Sequence, residues 1–85
     1  MAEANIGVVI HCFPKLFVAV IKLSKKNLKI GDRIKLVNKQ GENFTQTVES
    51  MQIKHAQIDI ARAGDEFGLK TTNAVKLKSP VIKIL

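Results

Sequence analysis

The predicted fold is decided by Leu28-Lys29-Ile30-Gly31-Asp32-Arg33-Ile34 and, further along the chain, by Ala61-Arg62-Ala63-Gly64-Asp65-Glu66-Phe67-Gly68-Leu69. In each stretch a Gly-Asp pair ends a connection, and an apolar, β-prone run follows it. Glycine can take the positive φ that such a turn needs at little steric cost. Each stretch therefore predicts a tight turn that leads into a strand.

Gly, Pro and Asn interrupt the whole chain at intervals of about ten residues, which is typical of an all-β barrel or sandwich. We predict an all-β chain with six strands that close into an antiparallel β-barrel. The predicted strands cover residues 6–13, 16–23, 32–38, 43–53, 66–71 and 80–84. Turns are expected at 22–31 and 38–42, while residues 54–65 fit either a strand or a tight coil. A bulge is expected near Glu49-Ser50, because the apolar alternation changes parity there.

The 85 residues are enough for one small domain with one core. We predict a single domain over residues 1–85, with an N-terminal tail over residues 1–5. The second predicted strand is apolar on both faces, so alternation does not show which of its faces enters the core. We assign Val18 and Val20 to the core, which leaves the opposite face to be covered by this domain or by a partner. The predicted core residues are Val8, Ile10, Val18, Val20, Ile34, Leu36, Val48, Ile53, Leu69 and Ile82.

Positive charge is concentrated in one segment of a chain whose net charge is +7. This segment, residues 22–39, contains a single acid, Asp32. A basic surface attracts polyanions, and RNA is the commonest polyanion in a cytosol. The alternative is a solvated surface that only keeps the chain in solution. The candidate RNA contacts are Lys22, Lys25, Lys26, Lys29, Arg33, Lys35 and Lys39.

The sequence lacks the residue patterns that catalysis or cofactor binding requires. No phosphate-binding P-loop is present, which excludes a GTPase and predicts no nucleotide ligand. The soft metal ligands are limited to His11, Cys12 and His55, and neighbours in a strand point to opposite faces. Cys12 has no obvious partner base, and the carboxylates show no acid–base spacing. We therefore predict no metal, no cofactor and no enzymatic activity.

The location of the protein is predicted from its cysteine content and its apolar segments. A single cysteine, Cys12, excludes an internal disulfide and fits a reducing compartment. The N-terminus lacks the basic region of a signal peptide. Pro14 and Lys15 divide the apolar stretch 6–23 into pieces too short to cross a bilayer as a helix. These features predict a cytoplasmic protein with no membrane partner.

Several motifs, in their order and spacing, resemble the second domain of translational GTPases such as elongation factor Tu. The matching residues are Gly7-Val8-Val9, Val18-Ala19-Val20, Leu28 to Asp32, Val48 to Ile53 with His55, and Ala61 to Leu69. The chain looks most like small stand-alone proteins described as translation elongation factor-like, which implies a β-barrel involved in translation. The stretch Cys12 to Lys15 does not reproduce the tRNA-end contacts of elongation factor Tu, so no such pocket is expected. A related barrel also resembles the C-terminal domain of some U32 peptidase-like proteins.

Two functions follow from these observations. The first is a non-catalytic module that binds RNA or the ribosome through the basic residues 22–39. The alternative is a protein-interaction module that docks through Phe13, Phe17, Ala19 and Ile21. Its partner would be a U32 peptidase-like protein or a second copy of the chain. The sequence leaves the identity of the RNA or protein partner open.

Overall fold

A computed structural model describes residues 2–85, which form ten β-strands and no α-helix. A single 3₁₀ turn, Pro14–Leu16, connects the first two strands. The strands are β1 (Glu3–Phe13), β2 (Val18–Leu23), β3 (Leu28–Lys29), β4 (Arg33–Val37), β5 (Asn43–Thr47), β6 (Met51–Ile53), β7 (Ala56–Ile58), β8 (Ile60–Ala61), β9 (Glu66–Lys70) and β10 (Pro80–Ile84). No helix in residues 2–85 has the length and apolar character needed to traverse a membrane.

Eight of the strands form one antiparallel sheet in the order β5-β4-β10-β1-β2-β9-β6-β7, and β3 pairs with β8 in a separate ribbon. Strands β1 and β4 are both antiparallel to β10, so they run in the same direction. Strand β9 is antiparallel to β2, which is antiparallel to β1, so β9 shares that direction. Phe13, Val37 and Lys70 therefore all lie at the same end of the sheet.

The all-β class is confirmed, but the closed six-stranded barrel is wrong. Within residues 2–85, backbone pairing stops at β5 on one edge of the sheet and at β7 on the other. The predicted strand 43–53 is broken at residues 48–50, and only its second half pairs with β9. The ambiguous segment 54–65 contributes the short strands β7 and β8.

A buried glutamine side chain lies where backbone pairing between β5 and the end of β9 would be needed to close the sheet. Gln46 Nε2 donates to the carbonyl oxygen of Lys70 at 2.9 Å. Its Oε1 accepts a hydrogen bond from the backbone N–H of Thr72 at 3.0 Å. The side-chain amide thus occupies the place of a peptide group, and the two segments approach without a continuous ladder.

The two Gly-Asp stretches form matching turns, as predicted. In Lys29-Ile30-Gly31-Asp32 and Arg62-Ala63-Gly64-Asp65, the glycine φ angles are 97° and 96°. In each turn the carboxylate of the aspartate accepts a hydrogen bond from the backbone N–H of the first residue, at 3.0 and 2.9 Å. Both aspartates therefore have structural roles.

The predicted core is wrong in β1 because the register shifts between Asn5 and Gly7 and again between Val9 and His11. Each irregularity changes which residues face inward. Ile6 and Val9 are buried, whereas Val8 and Ile10 are exposed. Strand β1 also begins at Glu3, so most of the predicted tail 1–5 is strand; residue 1 lies outside the described residues.

In β2 the opposite face to the predicted one enters the core. Ala19, Ile21 and Leu23 are buried, whereas Val18 and Val20 are only partly buried. The other core predictions fall into two groups. Ile34, Leu36, Val48 and Leu69 are buried, while Ile53 and Ile82 are partly buried.

Candidate docking surface

Three large apolar side chains protrude where β1 turns into β2. Phe13 is 43% exposed, Leu16 65% and Phe17 46%. The ring of His11 contacts that of Phe13 edge to face, with centroids 4.5 Å apart. We call Phe13, Leu16 and Phe17 the apolar corner.

The backbone of the apolar corner is held in an unfavourable conformation. Phe17 has a φ of 52°, a left-handed value that costs an L-residue with a side chain about 1–2 kcal/mol. Its carbonyl oxygen accepts a hydrogen bond of 2.6 Å from the backbone N–H of the buried Thr71. The fold thus holds Phe17 in place while almost half of its side chain stays exposed.

Two shallow hollows meet at Leu16. The first is lined by Cys12, Phe13, Lys15 and Leu16. The second is lined by Leu16, Val18, Ser50, Gln52, Gly68 and Lys70. Gly68 has no side chain and forms a low floor between its neighbours, so the second hollow has room for an apolar group from outside.

Two exposed lysines line these hollows and a third lies near Cys12, and we call Lys15, Lys39 and Lys70 the lysine rim. Lys15 lines one hollow and Lys70 the other. Burial raises the pKa of the Cys12 thiol above its ordinary value. Lys39 lies close enough for its positive charge to oppose part of this rise. The three lysines come from distant parts of the chain, and the direction of the strands brings them to one end of the sheet.

The lysines and arginine predicted to bind RNA are not assembled into one patch. Lys22 faces outward from β2 between Val8 and Glu66 in the neighbouring strands. Lys35 forms an ion pair with Glu3 at 2.9 Å. Of the remaining members, Lys25, Lys26, Lys29 and Arg33 lie toward the end of the sheet opposite to Lys39.

The predicted docking residues also divide into two groups. Ala19 and Ile21 face the core, because the parity of β2 was chosen wrongly, and neither is available to a partner. Phe13 and Phe17 are exposed. Leu16, the most exposed of the large apolar side chains, was not among the predicted docking residues; its position directly after Pro14-Lys15 was the available signal for a turn outside the core.

The part of the chain that the structure describes contains no cluster of three or more His, Cys, Asp and Glu side chains that could hold a metal ion. Cys12 Sγ donates a hydrogen bond to the carbonyl oxygen of Val75 at 3.2 Å. His11 follows the outward register of β1, opposite Val20, whereas Cys12 lies opposite the buried Ala19. The imidazole and the thiol therefore point away from each other.

Comparison with known proteins finds similarity both in sequence and in fold. Over 74 residues the chain is 38% identical to the uncharacterized protease MJ0090 of Methanocaldococcus jannaschii. The match covers 87% of this chain and 18% of that protein, so the chain spans less than a fifth of the length of its relative. No protein family model matches the chain.

The fold is shared with the C-terminal domain of a Geobacillus thermoleovorans protein described as a U32 peptidase. The TM-score is 0.83 at 21% identity, over 94% of this chain and 91% of that domain. A selenomethionine variant of the same domain gives a TM-score of 0.81 at 19% identity, over 95% and 99% of the two chains.

These similarities overturn the assignment to translation elongation factor-like proteins. The sequence relative is named an uncharacterized protease, and the structural neighbour is the C-terminal domain of a protein described as a U32 peptidase. The translation-related, RNA-binding interpretation is therefore wrong. The motifs that suggested it, the two Gly-Asp turns above all, are features of the fold and do not identify an elongation factor.

Proposed function

We propose that the chain is a non-catalytic module that binds a U32 peptidase-like catalytic protein through the apolar corner. The observation that carries this proposal is the distribution of the 38% identity, which extends over 87% of this chain but only 18% of the M. jannaschii protease. In the proposal, the peptidase chemistry belongs to the larger, unmatched part of such a protein. The present fold supplies a surface that this part recognises.

The environment of the cysteine supports a non-catalytic role. A nucleophilic cysteine needs a low pKa and an adjacent base. Burial instead raises the pKa of the Cys12 thiol. His11 points to the other side of the strand, and His55 lies in the connection between β6 and β7. Cys12 is thus a protonated, structural thiol at neutral pH.

The energetics of the apolar corner support a docking role. Complete burial of a large apolar side chain contributes about 1.5–3 kcal/mol. Roughly half of each side chain of the apolar corner is still exposed, so a partner that covers it can gain roughly half of that free energy from each. Together they offer a partner about 3 kcal/mol, whereas a micromolar complex needs about 8 kcal/mol. The corner would therefore act as a binding hot spot within a larger interface.

The test is direct binding between the purified chain and purified U32 peptidase-like proteins from the same cells, measured by surface plasmon resonance. We expect Leu16→Ser and Phe17→Ser to weaken binding about tenfold or more. Ile60→Ser is the matched control. Ile60 is 39% exposed on β8, in the separate ribbon, and its substitution should leave the affinity unchanged.

Two results would overturn the proposal. One is the absence of binding to every U32 peptidase-like protein of those cells. The other is an equal loss of affinity in Leu16→Ser and Ile60→Ser when circular dichroism shows both variants to be folded. A purified chain that hydrolyses casein by itself, and loses this activity on Cys12→Ser substitution, would contradict its non-catalytic role.

A further inference from the structure

We infer that the partner presents to the apolar corner an apolar segment flanked by carboxylates, which the lysine rim attracts. This inference deepens the proposed function, on which it rests for the use of the corner as a docking site. It adds the chemistry of the segment that is bound. The occupant is thus a protein surface of stated composition.

Lysines lie on both sides of Leu16. Lys15 lines the hollow on one side of Leu16, and Lys70 lines the hollow on the other. A side chain that enters either hollow therefore passes an exposed ammonium group. An apolar group flanked on both sides by carboxylates would contact Leu16 and place one carboxylate near Lys15 and the other near Lys70.

No lysine of the lysine rim forms an ion pair within residues 2–85. The ion pairs in the described residues are Lys35 with Glu3 and Lys83 with Asp32, and neither uses a lysine of the rim. No carboxylate lines either hollow beside Leu16. Glu49 and Lys70 both line a neighbouring hollow, but they are not among the ion pairs of the described residues. The positive potential at the corner is therefore available to a partner.

The apolar corner fits a protein segment better than it fits a polyanion such as RNA. A phosphate backbone would pair with the lysines but would leave Phe13, Leu16 and Phe17 in water. Interface cores are depleted of charge, and complementary charges surround them and accelerate association. An apolar corner with a lysine on each side of Leu16 therefore matches an apolar surface with acidic residues beside it.

Charge reversal on the chain tests this inference against a matched control. The double variant Lys15→Glu/Lys70→Glu should lower the association rate constant for the peptidase-like protein about tenfold and leave the dissociation rate constant nearly unchanged. Lys25→Glu/Lys26→Glu changes the net charge equally at the other end of the sheet. It should keep the wild-type rates. Equal rates in both double variants, or an equal loss in both, would overturn the inference.

A selection that does not need the peptidase-like protein separates this inference from the proposed function. A random peptide library displayed on phage is selected on the purified chain, and the enriched peptides are tested on Leu16→Ser and Lys15→Glu/Lys70→Glu. We expect peptides that combine Asp or Glu with large apolar residues and that bind neither variant. If such peptides emerge while no peptidase-like protein binds, the proposed function fails and the inference stands.

Other results of the selection would overturn the inference. These are no enrichment at all, enrichment of basic or uncharged peptides, and peptides that bind both variants normally. The same holds if poly(U) RNA or phosphatidylglycerol vesicles bind the wild type and Leu16→Ser equally but not Lys15→Glu/Lys70→Glu. That pattern would mean that the lysines bind polyanions without the apolar corner.

Discussion

Gly7 lies where β1 passes so close to β2 that no side chain fits. A Cβ at this position would collide with the backbone carbonyl oxygen of Lys22, and a backbone atom cannot move aside as a flexible side chain can. We expect Gly7→Ala to lower the free energy of unfolding by about 1–3 kcal/mol, the usual range for overpacking. Urea denaturation followed by circular dichroism measures this change.

Gly68→Ala is the matched control for Gly7→Ala. A Cβ at Gly68 would meet Val18 Cγ1 at 3.5 Å, an ordinary van der Waals distance. This variant should therefore stay within about 1 kcal/mol of the wild type. The explanation by close strand approach fails if both glycines tolerate alanine equally well.

Phe17 and Phe67 are the same residue type in opposite environments, and their substitution should have different effects. Phe67 is 1% exposed in the core, so Phe67→Ala should cost about 3–5 kcal/mol. For Phe17→Gly, relief of about 1–2 kcal/mol of left-handed strain offsets the loss of a half-exposed ring. We expect its free energy of unfolding to stay within about 1 kcal/mol of the wild type.

Chemical denaturation of the two phenylalanine variants checks this difference. A loss for Phe17→Gly as large as that for Phe67→Ala would mean that the Phe17 ring has a structural role. The exposure of the Phe17 ring would then no longer indicate a binding role. A near-neutral result allows Phe17→Gly to be used in binding experiments without concern for folding.

The hairpin of β6 and β7 has a common two-residue turn that is formed by unusual residue types. Ile53 pairs with Ala56, so the loop consists of Lys54 and His55, whose φ angles are 51° and 67°. Such turns favour Asn-Gly, because both residues need positive φ. We expect Lys54→Asn/His55→Gly to raise the free energy of unfolding by about 1 kcal/mol, seen as a higher melting temperature.

The control for the hairpin is Lys54→Ala/His55→Ala. It removes the same two side chains but keeps two residues with a Cβ in the left-handed region, so no gain is expected. If the alanine variant is stabilised as much as the Asn-Gly variant, backbone strain is not the cause.

The accuracy of the sequence prediction differed between strands for a physical reason. In β4, Arg33 and Lys35 alternate with apolar residues, so the inward face follows from polarity alone and was correctly predicted. In β2 both faces are apolar, and alternation alone cannot choose between them. In β1 the register shifts depend on how the strand passes its neighbours, which no local pattern records.

The docking surface was predictable only where it is local in sequence. Phe13 and Phe17 border the Pro14-Lys15 turn, and both were among the predicted docking residues. Lys15, Lys39 and Lys70 belong to three distant segments, and only the order of strands brings them together. The lysine-rich segment 22–39 suggested one basic patch, but its residues are close only in sequence. In the fold they lie at both ends of the sheet.

Strand β10 lies inside the sheet, third from one edge, although it is the last strand in chain order. It pairs with β1 on one side and with β4 on the other. Removal of residues 80–85 would separate β4 and β5 from the rest of the sheet and expose the core. We expect this truncated chain to be unfolded, with collapsed dispersion in its ¹H–¹⁵N NMR spectrum.

Removal of Leu85 alone is the control for this truncation. Leu85 is exposed and donates one backbone hydrogen bond to Ala2. Without it the chain should keep a folded spectrum. A folded spectrum for the chain without residues 80–85 would mean that β1 and β2 form a stable unit without β10.

The pairing of β1 with β10 has a consequence for how the fold can be joined to other chains. Glu3 lies opposite Ile84, and Leu85 donates a backbone hydrogen bond to Ala2 at 2.8 Å. A polypeptide that runs into β1 and out of β10 therefore enters and leaves the fold at nearly one point. Adjacent ends of this kind allow a domain to be inserted into a surface loop, or circularly permuted, with little displacement of the host. The fold can thus be inserted as one unit into different host proteins.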